Sequence, residues 1–101
     1  MSETVRAVRL LVAGRVQGVG FRAFVEAEAR RRALAGWVRN RRDGTVEAVI
    51  AGPPASVEDM IAACWRGPPG AGVDRIEASE ADAAALAQHR SGERFSVLST
   101  A

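Results

Sequence analysis

Apolar and polar residues alternate from Val5 to Ala13 (VRAVRLLVA), with Val8, Leu10 and Val12 on every second position. That period suits a strand with one face buried. From Phe21 to Leu34 the period changes. Phe21, Val25, Ala29 and Ala33 recur at four-residue spacing, Phe24 widens the stripe, and neither glycine nor proline interrupts it, which predicts an amphipathic helix. Gly36–Asn40 and Thr45–Ala51 read as strands flanking Asp43-Gly44, a strong hairpin signal. Pro53 and Pro54 stop the second of these strands. Ser56-Val57-Glu58-Asp59 then offers the serine and acid of a capping box, and Val57, Ile61 and Cys64 form the apolar stripe of a second helix. Gly67-Pro68-Pro69-Gly70 ends it. Val73–Ser79 and Glu93–Leu98 are further strand candidates, while the alanine-rich stretch Ala81–His89 fits either a loop or a turn of helix.

The resulting order is strand, helix, strand, strand, helix, strand, with an extra strand at the end. It predicts an α+β fold, the ferredoxin-like split βαβ sandwich (βαββαβ), with an antiparallel sheet of four to five strands and two helices on one face. The 101 residues suffice for one domain, expected to span 1–101, with a single modest core. This architecture hosts many unrelated activities, so function has to come from the site.

Composition narrows the classes. Apolar residues make up 48% and charged residues 26%, as in ordinary globular chains, which argues against disorder. No apolar run approaches the about 20 residues of a membrane span, and MSETVRAVRL lacks the basic start and apolar block of a secretion signal. The one cysteine, Cys64, cannot form an internal disulfide, and it falls on a helix stripe as a core residue. A cytoplasmic location is the expectation. All 14 basic residues are arginines, set against 12 acids, a balance too even to mark a nucleic-acid binder. Arg30-Arg31-Arg32 reads as a solvated helix face.

The chemistry concentrates between the first strand and first helix, in Gly14-Arg15-Val16-Gln17-Gly18-Val19-Gly20-Phe21-Arg22. Glycines permit positive φ and let the backbone approach a ligand closely. Successive peptide N–H groups can then turn inward as an anion nest, and a following helix N-terminus adds its unpaired N–H groups and positive dipole end. Arg22, in the first helical turn, can bind two oxygens of one phosphate with its planar fork. The spacing is not the G-x-G-x-x-G of dinucleotide folds, and with no lysine in the chain it cannot be a Walker loop. Gly20-Phe21-Arg22-Ala23-Phe24-Val25 faintly echoes an RNA-recognition strand, but its aromatics open a helix, whereas stacking requires them on a sheet.

Taken with Gly36-Trp37-Val38-Arg39-Asn40 and Asp43-Gly44-Thr45-Val46-Glu47, the glycine loop closely resembles the acylphosphatase family. That family pairs G-x-V-Q-G-V-x-F-R with G-W-V-x-N-x-x-D-G-x-V-E at about this separation. Trp65-Arg66-Gly67-Pro68 and Val73 also resemble its second-helix exit. The chain departs from the pattern before Gly36, where Arg31-Arg32-Ala33-Leu34-Ala35 replaces a Leu-Gly-Leu-type run. The resemblance implies a ferredoxin-like fold and hydrolysis of acyl phosphates, the mixed anhydrides of carboxylic and phosphoric acids, without a metal or other cofactor. It assigns phosphate binding to the loop backbone of Arg15, Val16, Gln17, Gly18, Val19 and Gly20 and to the side chain of Arg22. By the same resemblance, Arg22 and Asn40 are the expected catalytic pair, with Asn40 orienting the attacking water. The expected partner is a small-molecule acyl phosphate alone, with no nucleic acid and no membrane, and the chain is expected to act as a monomer.

Neither core motif holds a His, Cys, Asp or Glu able to serve as acid, base or nucleophile. The lone His89 reads as a surface residue, Asp43 is accounted for by its turn, and the acids show no metal-ligand spacing. An acyl phosphate needs none of these, because its leaving carboxylate, with a pKa of about 4, departs unprotonated. What remains is charge stabilisation and positioning. Asn40, the chain's only asparagine, would by itself read as a strand-end or turn residue; the loop motif is what gives it a chemical role. Two rival readings stay open at this level: a module that recognises phosphate or carbamoyl phosphate without hydrolysing it, and an RNA-binding ferredoxin-like domain. Sparse aromatics, three Phe and two Trp with no Tyr, count against the second.

Overall fold

The computed structural model describes residues 4–90 and 92–101. Strand β1 (Arg6–Arg15) leads through the glycine loop into helix α1 (Phe21–Arg31), followed by the β2 (Ala35–Asn40) and β3 (Val46–Gly52) hairpin. Helix α2 (Pro54–Arg66), strand β4 (Gly72–Glu80), the one-turn helix α3 (Ala83–Leu86) and strand β5 (Phe95–Val97) complete the order. The sheet runs β4-β1-β3-β2-β5. Neighbours within the first four are antiparallel, as the split βαβ pattern predicts, but β5 lies parallel to β2, so the sheet is mixed. The segment 81–94 accounts for the difference. β4 ends and β5 begins at the same rim of the sheet, with Glu80 opposite Val8 and Phe95 opposite Gly36, so β5 runs counter to β4 and therefore along β2.

Strand alternation divides the two faces. Val8, Leu10, Val12, Val38, Val46, Ala48 and Ile50 pack with Phe21, Val25 and Ala29 of α1 and Val57, Met60 and Cys64 of α2 in one core. Each large apolar side chain buried there contributes roughly 1.5–3 kcal/mol. Cys64 belongs to this core, and burial pushes its thiol up to about 12. The opposite face is covered too. Trp37, fully buried there, donates its indole N–H to Ala85 O at 2.6 Å, so the stretch that the sequence left between loop and helix forms α3 above it. Asp82 caps that helix by accepting from Ala85 N at 2.8 Å.

Two helix boundaries differ from the sequence expectation. Helix α1 stops at Arg31, because Ala33 adopts φ +55°. Leu34 N donates to Ala29 O at 2.9 Å and Ala33 N to Arg30 O at 3.0 Å, the paired bonds of a Schellman stop. The left-handed position, which glycine normally fills, is the middle of the run that departs from the family pattern. Helix α2 starts at Pro54, two residues ahead of the proposed box, and no side chain caps it. Proline's fixed φ and missing N–H suit the first helical position, so Ser56 lies inside the first turn. The Arg30–Arg32 run is ion-paired on the surface, to Glu26, Glu28 and Asp59.

A non-glycine residue in the left-handed region costs about 1–2 kcal/mol, partly offset by the entropy that glycine adds to the unfolded chain. Ala33→Gly is therefore expected to stabilise the protein by about 1 kcal/mol and raise Tm by several degrees in a thermal melt. An unchanged or lower Tm would contradict the strain assigned to Ala33.

Candidate active site

Val16 ends β1's run into the core, fully buried, and the chain then turns through Gln17–Gly20. Gly18 and Gly20 have φ +78° and +81°, and a Cβ at either would meet nothing within 4 Å. These two glycines are required by backbone conformation rather than by crowding, and the space above them is open. Gly14 plays a different part. It sits at a bulge within the β1–β4 pairing, where a Cβ would lie 2.2 Å from Gly72 O. The first glycine of the motif thus serves the sheet, and the later two shape the loop.

Gly20 is the N-cap of α1 in the left-handed conformation, and no side chain caps the helix. The N–H groups of the first turn are therefore left for an external acceptor, beside the positive end of the helix dipole. A cavity of about 410 Å³ opens here, lined by Val16, Gly18, Gly20, Phe21, Arg22, Ala23, Glu26, Asn40 and Val97. Most arginines in the chain are ion-paired, but Arg22 has no carboxylate partner among the described residues. Its guanidinium is available to an anion.

The residues named from sequence divide into two groups. Val16, Gly18, Gly20, Arg22 and Asn40 line the cavity. Arg15, Gln17 and Val19 do not. Arg15 is an exposed residue at the β1 end, opposite Gly72, and Val19 packs on the core beneath the loop. The Gln17 amide turns to the hairpin, donating to Arg41 O at 2.7 Å and Thr45 O at 2.9 Å. Sequence reasoning missed Glu26, whose carboxylate pairs with Arg30 at 3.2 Å. Its four-residue spacing from Arg22, which puts both on one helix face, was the available signal.

Asn40 ends β2 opposite Val46, on the helix-facing side with Val38. The hairpin beyond it is a three-residue type, with Gly44 N donating to Arg41 O, Arg41 N to Thr45 O, and Gly44 at φ +94°. Hydrogen bonds from Thr45 hold the Asp43 carboxyl below the usual carboxylate range. The tail supplies another support, since Leu98 N donates to Val38 O and Ala101 N to Asn40 O. His89 does not line the cavity. Phe21 and Phe24 stand on α1, 5.8 Å apart, and offer no stacking platform on the sheet. Among the described residues no three His, Cys, Asp or Glu side chains gather as a metal group, and no helix is long and apolar enough to cross a membrane.

Residues 8–95 match the family model described as Acylphosphatase. The chain belongs to the acylphosphatase family. It is 54% identical over 100 residues to an acylphosphatase of Rhodopseudomonas palustris strain BisB18, covering 99% of each chain. It is 53% identical over 93 residues to one of Bradyrhizobium diazoefficiens, covering 92% of this chain and 94% of the relative. Among solved structures, the crystal structure of acylphosphatase from Bacillus subtilis superposes with a TM-score of 0.79 at 41% identity, covering 94% of this chain and 99% of that one. Full-length HypF in its phosphate- and nucleotide-bound form gives a TM-score of 0.82 at 25% identity, covering 99% of this chain but only 13% of that one. Close relatives of matching length favour acyl-phosphate hydrolysis over a module that only docks its ligand.

The Gln17 amide joins the loop to the hairpin by two hydrogen bonds, each contributing about 1 kcal/mol. Gln17→Ala is expected to lower stability by about 1–2 kcal/mol, read as a lower urea midpoint. No change would show that the loop and hairpin hold position without it.

Proposed function

We propose that this acylphosphatase hydrolyses its substrate by anchoring the phosphoryl group over the first turn of α1 and delivering water from Asn40. The observation that carries the reading is the shared cavity. Arg22, Asn40 and the two left-handed glycines come from three separate elements and line one space. The open N–H groups of the loop and helix start, with the Arg22 fork, neutralise the phosphoryl oxygens. The Asn40 amide oxygen accepts a hydrogen bond from water and holds it in line with the leaving group. Water oxygen bonds to phosphorus as the bond from phosphorus to the acyl oxygen breaks. The electron pair leaves with the carboxylate, and a phosphoryl oxygen takes the proton. No metal ion enters this sequence, and the enzyme works as a cytoplasmic monomer on small acyl phosphates.

Hydrolysis of benzoyl phosphate by the purified protein tests the reaction. Asn40→Ala should lower kcat by roughly 100-fold or more while leaving inhibition by inorganic phosphate nearly intact. Arg22→Lys should weaken both turnover and phosphate inhibition, because a single ammonium replaces the fork. A variant at Asn40 that kept most of its activity would remove that residue from the mechanism. Activity is also expected to survive prolonged dialysis against EDTA; a loss that added magnesium or zinc restored would require a metal.

A further inference from the structure

Asn40 has an arginine on either side, and both leave toward the face of the sheet opposite the cavity. There they meet one carboxylate. Arg39 Nε lies 2.8 Å from Glu47 Oε1 and Arg41 Nη1 lies 3.1 Å from the same oxygen. Glu47 is only 1% exposed and stands directly across the β2–β3 pair from Arg39. Its other oxygen is 3.0 Å from Arg9 Nε of β1, a contact of charge without hydrogen-bond alignment, since that nitrogen has no hydrogen-bond partner. The Arg39 guanidinium also sits 4.8 Å over the Trp37 ring, beneath α3. Arg41 is gripped at both ends, by Glu47 at its guanidinium and by Gln17 at its carbonyl.

A buried carboxylate that served only to join neighbouring strands would need one partner across the pair. Glu47 instead hydrogen-bonds the residues immediately before and after Asn40. Fixing both neighbours fixes the backbone at residue 40, and with it the direction in which the amide leaves the strand. We propose that Glu47 is a positioning residue for hydrolysis, acting from the far face of the sheet through Arg39 and Arg41 on Asn40. This rests on the role assigned to Asn40 above.

The test compares variants with benzoyl phosphate as substrate and inorganic phosphate as inhibitor. Glu47→Gln is expected to lower kcat by about 10-fold or more, since small misplacements of a positioned group have effects of this size or larger. KM and the phosphate inhibition constant should stay within about twofold, because Glu47 itself contacts neither the glycine loop nor Arg22. Arg9→Gln removes a contact to the same carboxylate from β1, a strand that does not pair with that of Asn40, and should lower Tm while leaving kcat unchanged. In the Asn40→Ala background, Glu47→Gln should add no further loss of kcat. If Glu47→Gln does not fold, Arg39→Gln and Arg41→Gln carry the same readouts. Equal kcat losses at Arg9 and Glu47, or an undiminished Glu47 effect without Asn40, would overturn the positioning role alone. An Asn40→Ala variant that remained active would overturn both this role and the reading on which it rests.

Discussion

The two halves of the site end strands that do not touch. The glycine loop leaves β1 and Asn40 ends β2, yet β3 lies between those strands in the sheet. Ladder hydrogen bonds alone would let loop and hairpin drift separately at the sheet's rim. The Gln17 side chain spans the gap, its amide held by two carbonyls of the hairpin. Its geometry ties the backbone of the glycine loop to the strand end that carries Asn40. The side chain of Gln17, a residue of the expected binding loop, is therefore a strut between two segments.

Charge is handled differently on the two faces of the sheet. On the cavity side Arg22 has no carboxylate partner among the described residues, and α1 begins without a side-chain cap, so neither is neutralised by a side chain there. On the far side three arginines converge on buried Glu47. An unpaired charge in the interior is costly, whereas one at the mouth of a cavity open to solvent is tolerable. Glu26 sits between these cases. It lines the cavity but is drawn to Arg30 one turn further along the helix.

Strand alternation made β1 legible in the sequence, the Asp43-Gly44 hairpin signal did the same for β2 and β3, and two long motifs in order pointed to the loop, Arg22 and Asn40. Boundaries were harder to read. Ala33 offered no glycine to mark the end of α1, and the plausible cap at Ser56 competed with a better start at Pro54. The parallel pairing of β5 was hidden, because strand direction depends on how segment 81–94 crosses the sheet rather than on local pattern. Glu47 could not be read as a positioning residue either. In sequence it closes a motif, and only the β2–β3 register brings it opposite Arg39.

The outer strand β4 has a consequence beyond the site. Nine residues long and mostly exposed, it leaves one row of backbone donors and acceptors at the border of the sheet. Such a border can template the growth of fibrillar aggregates. Asp74, Arg75, Glu77 and Glu80 stud this strand, so an incoming extended peptide must bring complementary charges or strip water from ions. The opposite border is the three-residue β5, too short to seed a stack. The sheet is thus guarded at one margin by ionic side chains and at the other by brevity.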